Sequence, residues 1–551
     1  MEAKRTEHPY RNILLVFVPV LLAFSSLYRI ISLRIDSDES QHMHIVWDWT
    51  RKIVQYRDVF DNHTPLFHIL LAPLIKLVGA TPYIITVGRA LMLPLFVGNL
   101  IFVYLISKLI FNKNIALWLA YFAGFFLILS GVAVEFRPDN LWILIWLGSV
   151  YYLLKSKVNL SSGIVFGSLM AINSLVSLKT MAFLLPALLL AVILSAIAGR
   201  TQEKNKFNVD HADALKFIAG FAIAWLIIWA VFAAIFYRLH ALNAMIYGTV
   251  LHNLVGSHYL NLWLKSGIAM LWCLAGIVSA RYCERSSKAF VFFLLLVFSL
   301  LAVSVLYPVL ERETRLIVSQ MAIILAGGLL LQKLYEKVSL KRFTLYVSAL
   351  FLVSSSAVMA LPSYRNENTG YERMYSDLLK LTDDSDYVMD AKGENIFRQR
   401  PYYFAFEYFT KKRLSGSLLD KKEIIADIIR KKADVIVESD KAVFPANLTA
   451  FSDSEYVYVA PNIKVAGKRI AGRLSPGRSM EFDMELGGCY TVLSKDRNVK
   501  IQIDNSILAA GKSLFLSRGM HRIAAKSGLV VSGITLVLTK AIERGFYPVG
   551  M

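Results

Sequence analysis

Cysteine is nearly missing from this chain, with three in 551 residues. Cys273 lies in an apolar segment, Cys283 at its basic end and Cys489 alone in the C-terminal part. No disulfide framework is implied. Acidic residues are also scarce, 40 against 60 lysines and arginines, which leaves a formal charge of +20. No tandem repeat and no low-complexity tract interrupts the sequence, so a solenoid or a repetitive scaffold is excluded. Charged residues of both signs make up only 18% of the chain, too little to cover a soluble protein of this size.

Apolar residues fill that gap: 56% of the chain is hydrophobic and the mean hydropathy is +0.51. Runs long enough to cross a hydrocarbon core of ~30 Å, about 20 residues each, recur through the first two-thirds. Spans are expected at 13–32, 83–110, 115–134, 140–154, 160–177, 180–198, 215–236, 266–282, 289–309, 315–332 and 343–361, about eleven in all. In such a chain the excess of Lys and Arg serves topology and anionic head groups, and no nucleic-acid partner is expected. The connections "FNKN", "KSKVN", "RYCERSSK" and "QKLYEKVSLKR" are short and basic, whereas "EFRPDN", "ERETR" and the pieces 33–82 and 237–265 fall on the other side. Positive-inside bias therefore puts the N-terminus in the cytoplasm and the C-terminal region outside. The first apolar run has basic flanks but no small-residue cleavage site, and is expected to stay as an anchor.

Composition changes from about residue 362. Residues 362–470 mix helical stretches such as "DKKEIIADIIRKK" with short strands such as "ADVIVES", the pattern of a small α/β unit. Residues 471–551 alternate apolar and polar positions between Gly and Ser turns, as in "NVKIQID", and suggest a β-sandwich. The expected fold class is thus a polytopic α-helical membrane domain, residues 1–361, followed by a soluble α/β plus β-sandwich region.

The most informative short stretch is "RIDSDESQHMHIVWDW", residues 34–49, just after the first span. Helix capping accounts for Asp36 with Glu39 three residues on. It does not account for Asp38 beside Glu39, with His42 one turn later, at a bilayer surface. Chemistry at these acids is the alternative, and a divalent metal held by Glu39 and His42 is a third use. A helix over 39–57 would place Met43, Val46, Trp47, Ile53 and Val54 on an apolar side against the outer leaflet, with Asp48, Arg51, Lys52 and Gln55 toward solvent.

The order of short motifs over residues 10–360 resembles the GT-C membrane glycosyltransferases, and within them the protein mannosyltransferases that use dolichyl-phosphate-mannose and the lipid A aminoarabinose transferases. "DSDESQHMHIVWDW" is similar to the family's acidic motif, with Asp38 and Glu39 in its two places. "FDNHTPLFHILLAPLIKLVG" resembles the later part of the same loop, but His63 and Thr64 replace the usual Lys and Pro. "VGRALMLPL" supplies Arg89, "EFRPDNLWILIW" Arg137 and Asp139, "SLKTMAFLLPALLL" Lys179, and "YPVLERETRLIV" Arg315. The order "GCY…VKIQIDN…GMHRI" near the end is similar to jelly-roll carbohydrate-binding modules.

The resemblance implies transfer of a sugar from a polyprenyl-phosphate carrier to an acceptor outside the cytoplasm: a lipid such as lipid A, a cell-envelope glycan or a protein. Asp38, Glu39 and Asp139 are the implied catalytic acids. Lys179, Arg315, His63, Arg89 and Arg137 are the implied ligands of the donor phosphate. No organic cofactor is implied. A lone sequon at Asn447 and no retention signal favour a bacterial inner membrane. A flippase for the same carriers is the rival, since it too needs cations at head-group depth. Its usual mark, a pair of broken spans in matching halves, is not seen.

Overall fold

A computed structural model describes residues 9–129, 131–181, 184, 211–254, 320–321, 323–359, 368–439, 443–475, 478–496, 499–526 and 531–550. The first part is a helical bundle: α1 (Pro9–Ser32), α2 (Ser37–Thr50), α3 (Leu66–Val78), α4 (Ile84–Ile110), α5 (Lys113–Leu129), α6 (Asp139–Lys155), α7 (Leu160–Val176) and α8 (His211–Arg238). A helix at Leu340–Met359 closes the described part of the bundle. These helices match the spans expected at 13–32, 83–110, 115–134, 140–154, 160–177, 215–236 and 343–361. The expected spans 266–282 and 289–309 lie outside the described residues, as do nearly all of 180–198 and the first part of 315–332.

Two of the described helices, Ile84–Ile110 and Ala212–Arg238, are long and apolar enough to cross a membrane alone, and the α1–α2 pair bends by 81° at its break. Their outward faces carry the signature of lipid contact. On α1, Val20, Phe24, Leu27 and Ile31 are exposed, and on α8, Ile223, Leu226, Ile227, Val231 and Ile235. Apolar surface in unbroken helical stripes would be costly in water and is what hydrocarbon accepts. The chain is an integral membrane protein.

Close helix packing rests on glycine where it is needed. A Cβ on Gly163 or Gly167 of α7 would sit 2.1 Å from the carbonyl oxygen of Phe217 or 2.4 Å from that of Phe221 on α8. The i, i+4 spacing puts both on one face, so the two backbones meet directly.

The soluble region is built on two sheets. A seven-stranded sheet runs β1 (Val388–Met389), β2 (Val435–Val437), β4 (Ile463–Leu474), β11 (Val531–Leu538), β6 (Gly488–Leu493) and β9 (Ser513–Leu516), with β3 (Tyr456–Ala460) also on β4. The second sheet is β5 (Ser479–Met484), β10 (Gly519–Ala525), β7 (Lys500–Ile503) and β8 (Ser506–Ala509). Inward residues of both sheets, among them Tyr490, Leu536, Phe482, Ile501 and Ile523, share one core. The division expected at 470/471 falls inside β4, whose Val465 pairs with Val435 of β2 and whose Leu474 pairs with Val531 of β11. One strand serves both halves, so composition alone marked a boundary that hydrogen bonding crosses.

The loop helix α2 also differs from expectation. It ends at Thr50, and Lys52 adopts a φ of +64° that turns the chain back. Residues Glu39 to Asp48 are buried on every side. Met43, Val46 and Trp47 are covered as expected, but so are Asp48 and Gln55, which were expected to face solvent. Gln55 is buried by its own loop, bonding Asp61 at 2.7 Å and Trp49 at 3.1 Å, whereas α2 itself is covered by segments of the soluble domain. Trp47 packs edge-on against Phe397 at 5.0 Å, the His44 ring bonds the Asn395 carbonyl oxygen at 2.9 Å, and Ser40 bonds Tyr375 at 3.1 Å. The helix lies between two protein layers instead of on a leaflet.

Candidate active site

The break between α1 and α2 sets the site. Asp36 caps α2: its side chain accepts from the Asp38 N–H at 2.9 Å, and the Asp36 N–H donates to Glu39 Oε2 at 3.1 Å. The capping box is thus built from the residues whose spacing suggests it. Capping turns the next two acids in different directions.

Glu39 points into the bundle. Arg89 of α4 donates to it twice, Nε to Oε1 at 2.8 Å and Nη2 to Oε2 at 2.5 Å, and the Phe136 N–H adds a third bond at 2.9 Å. The remaining Arg89 donors reach the carbonyl oxygens of Ile30, Leu33 and Arg34. Both side chains are fully buried. Burial resists the charge on Glu39, but Arg89 and the two backbone donors outweigh it and lower its proton affinity. Glu39 and Arg89, expected as a catalytic acid and a phosphate ligand, are paired with each other here and tie α1, α2, α4 and the 131–138 turn together.

Asp38 points the other way, to a half-open surface. Arg137 Nη1 lies 2.8 Å from Asp38 Oδ2, and Arg137 Nε lies 3.2 Å from Asp139 Oδ2 at the start of α6. The structure therefore brings Asp38, Arg137 and Asp139 into one group. A fourth member comes from the soluble domain: Lys392 Nζ bonds Asp38 Oδ1. Burial opposes ionisation of Asp38, yet Arg137 and Lys392 together hold its carboxyl well below the usual range. Lys392 is pushed above its ordinary value, its own burial being outweighed by Asp38.

Beside this group lies a cluster of histidines. His42 shares a 2.9 Å hydrogen bond with His68, and its ring meets His63 edge-on at 4.5 Å. Asp61, fully buried, is their anchor, bonded to His63 at 2.9 Å, to Gln55 at 2.7 Å and to Gln41 at 3.1 Å. Burial lowers His42 well below its ordinary value, and the neighbouring His63 and His68 lower it further. His68 falls to about 4 for the same first reason. Glu39 and His42 are not brought together as a metal pair, since each has its own partner. Among the described residues no group of three or more His, Cys, Asp or Glu is arranged to hold a metal ion.

Lys179 lies half-buried in the turn after α7. Its neighbour Thr180 accepts a 2.9 Å hydrogen bond from the Trp142 indole in the first turn of α6, so Lys179 sits at the same end of the bundle as Asp139. Arg315 lies outside the described residues. Asp61 and Lys392 were missed by sequence reasoning. Asp61 sits two residues before His63 in "FDNHTP", a signal that was available. Lys392 comes from 354 residues away, and no local pattern in "DAKGEN" announces it.

No family model matches the sequence, and no curated protein resembles it. Solved structures do. ArnT from Cupriavidus metallidurans, in the apo state, superposes with a TM-score of 0.55 at 11% identity, over 82% of this chain and 97% of that one. The archaeal oligosaccharyltransferase AglB from Archaeoglobus fulgidus, in complex with an inhibitory peptide and a dolichol-phosphate, gives 0.46 at 8% identity over 95% and 96%. The fold assignment rests on the first of these. It is the GT-C fold that the order of the motifs leads one to expect, with helices followed by a strand-rich soluble region.

Proposed function

We propose that this protein is a membrane glycosyltransferase that moves a sugar from a polyprenyl-phosphate carrier to an acceptor on the side of the membrane carrying the soluble domain. The observation that carries the proposal is the group Asp38, Arg137 and Asp139, joined at 2.8 and 3.2 Å where α2 and α6 begin. An anionic lipid keeps its phosphate at this depth while its tail stays in hydrocarbon. As the bond from the anomeric carbon to the phosphate oxygen breaks, the electron pair leaves with that oxygen. The acceptor oxygen then forms the new bond on the opposite face, with inversion. Arg137, with Lys179 and Arg315 as further candidates, supplies positive charge to the leaving phosphate, and fixed donors in a water-poor cleft contribute several kcal/mol.

A carboxylate on the acceptor side takes the acceptor proton or orients the acceptor. Asp38 has first place and Asp139 second. An acid held far below its usual range is a weak base, so the orienting role suits Asp38 in the arrangement described. An acceptor that is itself a phosphate needs no base. The acceptor is a membrane lipid, an envelope glycan or a protein, with a bacterial inner membrane as the setting. His63 fits the edge of the donor site, and no step is routed through a metal.

The experiment is transfer by the purified full chain from radiolabelled polyprenyl-phosphate sugars to lipid, glycan and protein acceptors. Transfer that disappears in Asp38→Asn is the expected result. Movement of the carrier across vesicles with no sugar released would replace the transferase with a flippase.

A further inference from the structure

Lys392 is held in place by a carefully bonded loop. Asp390, fully buried, accepts from Arg400 Nε at 2.6 Å and from the Asn395 N–H at 2.7 Å. Glu394 accepts from the Lys392 N–H at 2.7 Å and from the Ser439 hydroxyl at 2.9 Å. Asn395 donates to the carbonyl oxygens of Val388 and Arg398. Gly393 has a φ of +98°, and a Cβ there would lie 2.8 Å from the Gln41 Cα of α2. Both acids of "DAKGEN" are thus turned inward on the loop, and the lysine is the charged group it presents to α2.

The placement is odd for a carboxylate meant to work alone. Asp38 faces two cations, while Arg137 already has Asp139 as a second partner. Two cations on one carboxylate suppress its basicity, so their use lies elsewhere: they suit an anion that arrives. The two differ in freedom. Arg137 is a rigid fork set between two acids. Lys392 is a compact charge on a four-carbon stem with three donors, able to turn from one acceptor to another nearby.

We infer that Lys392 is a ligand of the donor's phosphate, handed over by Asp38 when the lipid head group arrives. The inference rests on the donor class proposed above. The handover has two consequences: the soluble domain contributes to the donor site, and Asp38 loses one cation as the donor seats. Its proton affinity then rises just when an acceptor proton has to be taken.

The test is binding of labelled polyprenyl monophosphate to the purified full chain in lipid nanodiscs, with polyprenol and inorganic phosphate as comparison ligands. Lys392→Met is expected to weaken binding of the lipid phosphate by about tenfold or more and to leave polyprenol unchanged. Lys392→Arg keeps binding near the parent's. Asp38→Asn, which removes the competing carboxylate, is expected to tighten it severalfold. Opposite directions for these two variants separate a phosphate ligand from a mere clamp between the domains, since breaking a clamp from either side shifts binding the same way. Parent-like binding by Lys392→Met overturns the role of Lys392 alone. Equal affinity of the parent for polyprenol and polyprenyl phosphate overturns the donor class and Lys392 with it. Effective competition by inorganic phosphate at equal concentration assigns the site to a free anion and overturns the lipid head group.

Discussion

Asp38 and Glu39 are neighbours in sequence and opposites in structure. Glu39 is fully buried, saturated by Arg89 and two backbone N–H groups. Asp38 keeps 24% of its side chain exposed, shares Arg137 with Asp139, and pairs with Lys392 of the soluble domain. A dry, complete ion pair has no capacity left for a ligand, and its removal leaves an uncompensated buried charge. A half-open group with two cations from separate elements, Arg137 and Lys392, can exchange partners. One acid therefore maintains the frame and the other is the one proposed to serve the reaction, although their side chains are identical but for a methylene.

The largest expected effect breaks the frame. Glu39→Ala leaves Arg89 buried without its carboxylate and should cost about 3–5 kcal/mol, seen as loss of folded protein or a sharply lower melting temperature. Replacing both Glu39 and Arg89 by methionine should recover most of that loss, because neither charge is then stranded. The next effect falls on chemistry. Asp38→Asn should lower transfer by about a hundredfold or more while the protein still folds and melts near the parent's temperature.

A smaller effect lies in the histidines beside Asp38. The folded protein holds His68 neutral down to about pH 4, against 6.5 for an ordinary histidine. Acid therefore favours the unfolded chain. The His68 contribution is complete above about pH 6.5, declines as pH falls from 6.5 toward 4, and levels off below that. The loss from His68 is on the order of 3 kcal/mol. His68→Gln should flatten that part of a melting-temperature profile. The smallest effect is the contrast case of an exposed pair, Arg51 with Asp384 at 2.7 Å. Arg51→Ala should change stability by less than about 1 kcal/mol, since water already screens both charges.

Much of this was legible in the sequence, because it depends on nearby residues. The capping of α2 by Asp36 and Glu39 follows from spacing. The spans follow from apolar length, and the order of motifs around Asp38, Arg137 and Asp139 points to the residues that meet. What was not legible depends on residues far apart. Spacing could not say which of two adjacent acids would find Arg89, fifty residues on. The covering of α2 needs a loop more than 350 residues away, so its solvent face was misread for Asp48, while Gln55 is buried by its own loop through Trp49 and Asp61. The boundary expected at 470 falls inside β4, which crosses from one sheet partner to the next without a break in its own pattern.

The most direct measurement compares Asp38→Asn with Glu39→Gln in one experiment, reading sugar transfer and thermal melting for each. Asp38→Asn is expected to melt near the parent and not to transfer, while Glu39→Gln is expected to melt well below it. Transfer at the parent's rate by a folded Asp38→Asn would remove Asp38 from the reaction.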